Sequence, residues 1–429
     1  MSRDSVGTSI ETPILVCEVA SAGSSEFYWL TETGTIEDGK VLVSTTSNGT
    51  KTAATAANTT AVAIANSRAD DGVTDTGKAV KPASQMTAEE LVAATAAGAA
   101  KTFAEIGSKE ELIAFRDAWN AGKIASGTFK LTANIDLSGI AWVPIGWGTD
   151  TLDHSFEGTF DGNGHTISGL TNKGVDYSEL SYADNASGSG TAGAIYGFFG
   201  VVGGNTVIKD LTLSNFNIEF SGTSKGKGIG ALIGGAYYLK SQYDYKVNNS
   251  GSYSKNMELT ISGVSVLNCT VKAGDKVGGL IGSGCYGNNN KDESGNKTYQ
   301  NINIIDCTVN AVVTANASSN ARAGGLFGQW GSGNANKNGS QTLTVTNTHI
   351  NCTISSKGSG DNQAAAVLGT LNGNNNGVFT NLSGIIIDST TSVSASGGSQ
   401  NRAKNYYTVV NSPANEPTLP SGQANQDWE

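Results

Sequence analysis

The residues of this chain best suited to chemistry are few and crowd one short stretch: Asp153, His154, Asp161 and His165, with Asp136 upstream. Paired carboxylates beside an imidazole are what acid and base catalysis on a glycosidic bond requires, and carboxylate groups also hold Ca²⁺. The local sequence argues for a plainer role. Asp161 opens Asp161-Gly162-Asn163-Gly164, a turn between two strands, and needs no catalytic explanation. His349, the third and last histidine, stands by itself on a strand-like run and reads as a surface or edge residue. Tyr237, Tyr238, Tyr243, Tyr245 and Tyr253 gather in one loop region and Trp330 closes another, so these rings either stack on glycans or pack locally. No Ser/His/Asp order, phosphate loop or Cys/His cluster at ligand spacing is present. The expectation is no catalytic residue, no metal site and no cofactor.

A recurring phrase must position whatever these side chains do. LTLSNFNI (211–218) is followed by GALIG (230–234), VSVLNCTV (264–271) by GGLIG (278–282), INIIDCTV (302–309) by GGLFG (324–328), and THINCTI (348–354) by AAVLG (365–369). A last copy, IIIDSTTSV (385–393), has lost the glycine knot. Aligning the copies sets Asn215, Asn268, Asp306, Asn351 and Asp388 in one column, and Phe216, Cys269, Cys307, Cys352 and Ser389 in the next. The first column is expected at a tight turn, where Asn and Asp tolerate left-handed backbone, and the second inside. The steps between copies are 53, 38, 45 and 37 residues, too irregular for a helical solenoid and suited to irregular loops on a regular coil. Alternating apolar and polar residues with Val, Ile and Thr between Gly/Asn punctuation make every copy β. The architecture expected is all-β: a right-handed, single-stranded parallel β-helix, or solenoid, with an N-terminal helical cap and a small N-terminal β-rich attachment region.

Composition bounds the partners. The 429 residues include 56 Gly, only 15% are charged, and the net charge is −10 with no basic cluster, so nucleic acid and anionic membrane are poor partners. No run of 18 apolar residues spans a membrane, and the start, MSRDSVGTSIETPILVCEV, lacks a secretory leader pattern. Synthesis and retention in a cytoplasm are the expectation from that start. Cys269, Cys307 and Cys352 read as small buried thiols, while Cys17 and Cys285 have no partner at metal-ligand spacing.

Four segments follow in order. Residues 1–46 hold strand-like runs (14–19, 26–33 and 40–45) and form a small β-rich attachment unit. Residues 47–103 form an extended Ala/Thr/Asp-rich connector with a short helix over 88–97, opened by Thr87 and Glu90 as a capping box. Residues 104–395 form the β-helix, beginning with a capping helix over 109–121. Its marks are Ser108 as N-cap, Glu111, the face Leu112, Ile113, Phe115, Ala118 and Trp119, and Gly122 as stop. Such a helix covers a first open strand edge. Residues 396–429 are a C-terminal cap and Pro-rich tail.

Two resemblances are carried by particular residues. Within the connector, Ala69, Asp70, Asp71, Gly72, Asp75, Thr76, Lys78, Val80 and Pro82 follow a polar, Gly-Asp-rich phrase similar to one common in bacteriophage tail and fibre proteins. Farther on, the chain reads L-T-x-x-I-D-L-S from Leu131 to Ser138, W-x-P-I-G from Trp142 to Gly146 and F-x-G-x-F-D-G-x-G-H-x-I-x-G-L from Phe156 to Leu170. With the repeated GGLIG and GGLFG, this resembles the GLUG-containing β-helix regions of bacterial cell-surface and secreted proteins, over about residues 104–395. That resemblance implies architecture: stalks, adhesive surfaces or spacers. Together the two imply a non-enzymatic virion fibre or decoration protein, on head or tail. It would be made in the host cytoplasm, joined to other virion proteins through residues 1–103, homo-oligomeric and possible to build as a trimer, and in contact with host surface glycans through Tyr237, Tyr238, Tyr243, Tyr245 and Trp330. The alternatives are a bacterial surface adhesin, at the cell surface or extracellular, and a polysaccharide lyase or hydrolase.

Overall fold

A computed structural model of the chain describes the backbone of residues 14–21, 24–30, 34–37, 40–43 and 51–53. It also describes residues 103–428 apart from 125, 147–154, 174, 176–194, 221–227, 237–255, 285–295, 332–338, 373–376 and 410–412. The chain divides into two compact units, Met1–Ile124 and Ala125–Glu429.

In the first unit Ile14–Ser21 pairs antiparallel with Ser24–Leu30, which pairs antiparallel with Lys51–Ala53, a segment within the stretch read as connector. Gly34–Glu37 and Lys40–Val43 form a separate antiparallel hairpin. The helix expected over 88–97 lies outside the described residues. The second expected helix is present as Lys109–Asn120, the one helix among the described residues. Its cap is built as the spacing requires. The Glu111 N–H donates to Ser108 Oγ at 3.1 Å, and Glu111 Oε2 accepts from the Gly107 N–H at 2.7 Å. Gly122, at φ 67°, ends it. Leu112, Phe115, Ala118 and Trp119 are buried and Ile113 half-buried. No described helix is long and apolar enough to cross a membrane.

The second unit is parallel β almost throughout, in rows visited in a fixed order. A first row runs through Gly127–Leu131, Phe156–Asp161, the C-terminal half of Phe199–Lys209, Met257–Ser262, Thr298–Ile305, Gly339–Thr346 and Val378–Asn381. A second row of ten strands begins at Ile135–Asp136 and ends at Ile385–Ile387 and Ser392–Ser396. A third row links Ile195–Tyr196, Gly228–Gly230, Val277–Gly278, Ala321–Gly324, Asp361–Ala365 and Gln400–Lys404. A fourth starts in the N-terminal half of Phe199–Lys209 and continues through Ile233–Ala236, Ile281–Gly284, Phe327–Gln329, Leu368–Leu371 and Tyr407–Val409. Every copy therefore lays each strand parallel to the corresponding strand of the copy before, a wound, β-helix-like architecture.

Alternation decides what points inward. Met257–Ser262 shows strict buried/half-buried alternation, placing Met257, Leu259 and Ile261 inside. Stacked passages then repeat the choice: Val271 lies beside Val313, Ile354 and Val393, each fully or nearly buried. Each such side chain contributes about 1.5–3 kcal/mol on full burial. One charged pair sits at the corner from the second row to the third. Asp275, 6% exposed, meets Arg322 Nη1 of the next passage at 2.9 Å, and burial pushes its carboxyl pKa up despite Arg322 and Lys276.

The glycine knots are where the third row turns into the fourth, and there backbone lies directly against backbone. A methyl group on Gly278 would stand 1.9 Å from the Ile281 carbonyl oxygen, and one on Gly282 would stand 2.1 Å from the Ile229 nitrogen. Sheets that pack through side chains stand about 10 Å apart, so this contact exists only without Cβ atoms. We expect Gly278→Ala to cost more than about 3 kcal/mol or abolish folding. Gly164→Ala, in an open turn at φ +77° with nothing within 4 Å, should cost about 1–2 kcal/mol for its left-handed backbone alone. Denaturant midpoints of the two variants measure the contrast.

Candidate functional site

The carboxylates proposed for chemistry are occupied by their own turns. Asp161 Oδ1 accepts the Asn163 N–H at 2.8 Å and its Oδ2 pairs with Lys209 Nζ at 2.8 Å. Burial acts to raise the Asp161 pKa, but the Lys209 ammonium and the Asn163 N–H outweigh it and hold the group below its ordinary 3.8. Asp136 Oδ1 accepts from the Ser138 N–H at 2.9 Å, from Ser138 Oγ at 2.6 Å and from Ser168 Oγ at 3.5 Å. His165 enters the turn through its backbone: its N–H donates to Gly162 and its carbonyl accepts from Thr212. Asp153 and His154 lie outside the described residues. His349 is not alone, since its Nδ1 lies 3.4 Å from Asp388 Oδ1. Among the described residues no group of three or more His, Cys, Asp or Glu could hold a metal ion.

The two expected columns are partly redrawn. Asn215 and Asn268 stand in register, both at φ 55°, and Asn351 stands in register with Asp388. Asp306 does not join them. Its N–H donates to Thr346 as that of Asp210 does to Ser262 and that of Gly263 to Ile305, which places it at the corner between the first and second rows with Asp210, Gly263 and Asn347. Cys307 moves with it and lies beside Val264 and Thr348. The true neighbours of Cys269 are Phe216 and Ala311, and Ala311 leads to Cys352 and then Thr391, not Ser389. The likeness of Asp306-Cys307-Thr308 to Asn268-Cys269-Thr270 had pulled one copy a corner out of register. Pairing also inserts an extra residue between Val266 and Cys269, an irregularity that no alignment of short phrases exposes.

The three thiols are nevertheless all inside. Cys269, Cys307 and Cys352 are each 1% exposed and free, and burial pushes their pKa values up to about 11, about 11 and about 12. A thiol so raised stays protonated near neutrality, so these groups pack and do not react. Trp330 is a second correction. It is 0% exposed, its Nε1 donates to Thr380 Oγ1 at 2.9 Å, and its ring lies 5.8 Å from Phe327. The tryptophan is a core residue and has no face to offer a glycan. Tyr237, Tyr238, Tyr243 and Tyr245 lie outside the described residues.

No protein-family model matches this chain, and no curated protein matches it. Among solved structures it is similar to one described as a "putative immunoglobulin A1 protease from Bacteroides ovatus", at 17% identity and a TM-score of 0.36, covering 72% of this chain and 84% of that one.

Two outcomes follow from this geometry. Alkylation of the native protein at pH 8 should leave Cys269, Cys307 and Cys352 unmodified, with all three labelled after unfolding, as read by peptide mass spectrometry. Because the folded pKa of Asp161 is depressed, its stabilising contribution is present above about pH 4 and lost as pH falls through the folded value. Lys209→Met removes the partner, so the acid unfolding midpoint followed by circular dichroism should move to higher pH.

Proposed function

We propose that this chain is a non-enzymatic structural protein displayed on a surface, and specifically a fibre or decoration protein on the head or tail of a bacteriophage particle. The observation that carries the reading is the continuity of the inner columns, such as Val271, Val313, Ile354 and Val393, in which buried side chains stack from passage to passage along the second unit. A stack of that kind is rigid and hard to digest, which suits a projecting element. The finer architecture belongs to the same reading: a right-handed single-stranded β-helix of the GLUG-containing type. Residues 1–103 attach the protein to other virion proteins, a homo-oligomer forms, and the projecting part meets host glycans.

The experiment is co-purification. Antibody against the chain should label intact particles in electron micrographs, and the protein should band with them in a density gradient. Fractionation of the chain with cell envelopes in the absence of particles would favour the surface-adhesin reading instead. Release of reducing ends from host polysaccharide, lost in Asp161→Ala, would make it an enzyme and overturn the proposal.

A further inference from the structure

The wound chain ends in a cavity. Ile385–Ile387 is the last strand along its line of the second row. Thr348 N–H donates to the Gly384 carbonyl and Asp388 N–H to the Ile350 carbonyl, so the even-numbered residues are turned toward the preceding strand. Backbone groups of a strand alternate sides, which leaves the Ile385 carbonyl and both backbone groups of Ile387 facing the open end. No backbone group among the described residues meets them there.

The tail crosses this end without closing it. Thr418 bonds Thr380 and Leu382, the Gln426 carbonyl accepts the Asn405 N–H, and the Trp428 N–H donates to Ala403. Between these anchor points lies a cavity of about 450 Å³ whose walls include Ile387, Asp388, Asn405, Tyr406, Gln423 and Trp428. That volume is in the range of about 300–1,000 Å³ common for small-molecule sites.

Tyr406 is the anomaly. It ends the column that runs from Phe198 through the aliphatic Leu232, Leu280, Leu326 and Val367. It is 5% exposed overall, its hydroxyl makes no hydrogen bond among the described residues and reaches the surface, and burial of the ring end pushes its pKa up. The side chains of Asn405 and Gln423 make no hydrogen bond among the described residues either. Gln423 is exposed and Asn405 half-buried, so these groups meet water in the free protein, and a ligand must pair them in its place.

The lining sets the class of that ligand. It carries no Lys or Arg, while Asp388 brings a carboxylate, so an anion would be repelled. A wholly apolar molecule would leave the phenol, the amides and the bare backbone groups unpaired. An uncharged molecule rich in hydroxyls satisfies donors and acceptors alike, and the half-buried Trp428 ring offers a flat face to its C–H groups. We propose that the cavity at the end of the last passage binds a short neutral saccharide. The inference gives the glycan contact of the proposed function a location, and rests on that reading for its biological sense.

The test is saturation-transfer NMR and calorimetry on the full chain with maltose, cellobiose, lactose and N,N′-diacetylchitobiose, each to 20 mM on the order of the weak single-site affinities expected. Saturable binding of at least one is expected. Trp428→Ala and Asn405→Ala should each weaken it tenfold or more, and Tyr406→Phe, which keeps the core filled, threefold or more, with unchanged circular dichroism. Should Trp428→Ala loosen the tail, Gln423→Ala carries the same comparison. The proposal is overturned if none of the four binds, or if binding survives these substitutions. It is equally overturned if the peptide Thr-Val-Thr-Ile-Thr, which could add to the bare strand edge, binds there and the sugars do not. Failure here with the chain still found on particles would sink only the saccharide site.

Discussion

The close approach of backbone to backbone at the turn from the third row to the fourth is the constraint on which the rest of the second unit depends. At Gly278 and Gly282 a single methyl group would overlap a neighbouring peptide, so chain and register are both pinned there. The connections that vary lie elsewhere. From the fourth row back to the first they cover 237–256, 285–297, 330–338 and 372–377, shortening along the chain. The irregular spacing of the copies is thus an irregularity of connections around a strict contact, and loop length is thermodynamically cheap to change.

With register pinned, buried side chains stack in columns, and this quiets the chemistry the sequence offered. Buried thiols lose the solvation a thiolate needs and stay protonated. Asp161 is drawn into a turn between the first and second rows and Asp136 into the turn after its second-row strand, where N–H or hydroxyl groups two residues away claim them. Even the buried ion pair, Asp275 with Arg322, joins successive passages. The column rule breaks at the chain's end, where Tyr406 and Ile387 have no following passage to cover them. The backbone groups of Ile387 lie bare at that place because a winding chain must stop somewhere.

Much of this was legible in the residues. Helix start and stop depend on neighbours three or four positions away, so Ser108, Glu111 and Gly122 announced Lys109–Asn120 nearly to its ends. Strand periodicity and the knots are local in the same sense, and they disclosed stacked β copies with inward thiols. Trp330 looked like a loop aromatic because the sequence carries no mark of the Thr380 hydroxyl waiting 50 positions ahead. Asp306 and Cys307 were misplaced because two different corners of the winding use nearly the same three residues.

The amino-acid order by itself determined which segments are strands, where the helix is capped and which positions exclude a side chain, since each of those rests on steric and hydrogen-bonding preferences within a few residues. Only the tertiary structure decided which corner faces which, that Cys269 reaches Cys352 through Ala311, and that Tyr406 ends a buried column beside a cavity. Those relations join residues some forty positions apart through backbone ladders whose register is set by packing, and packing has no local signature.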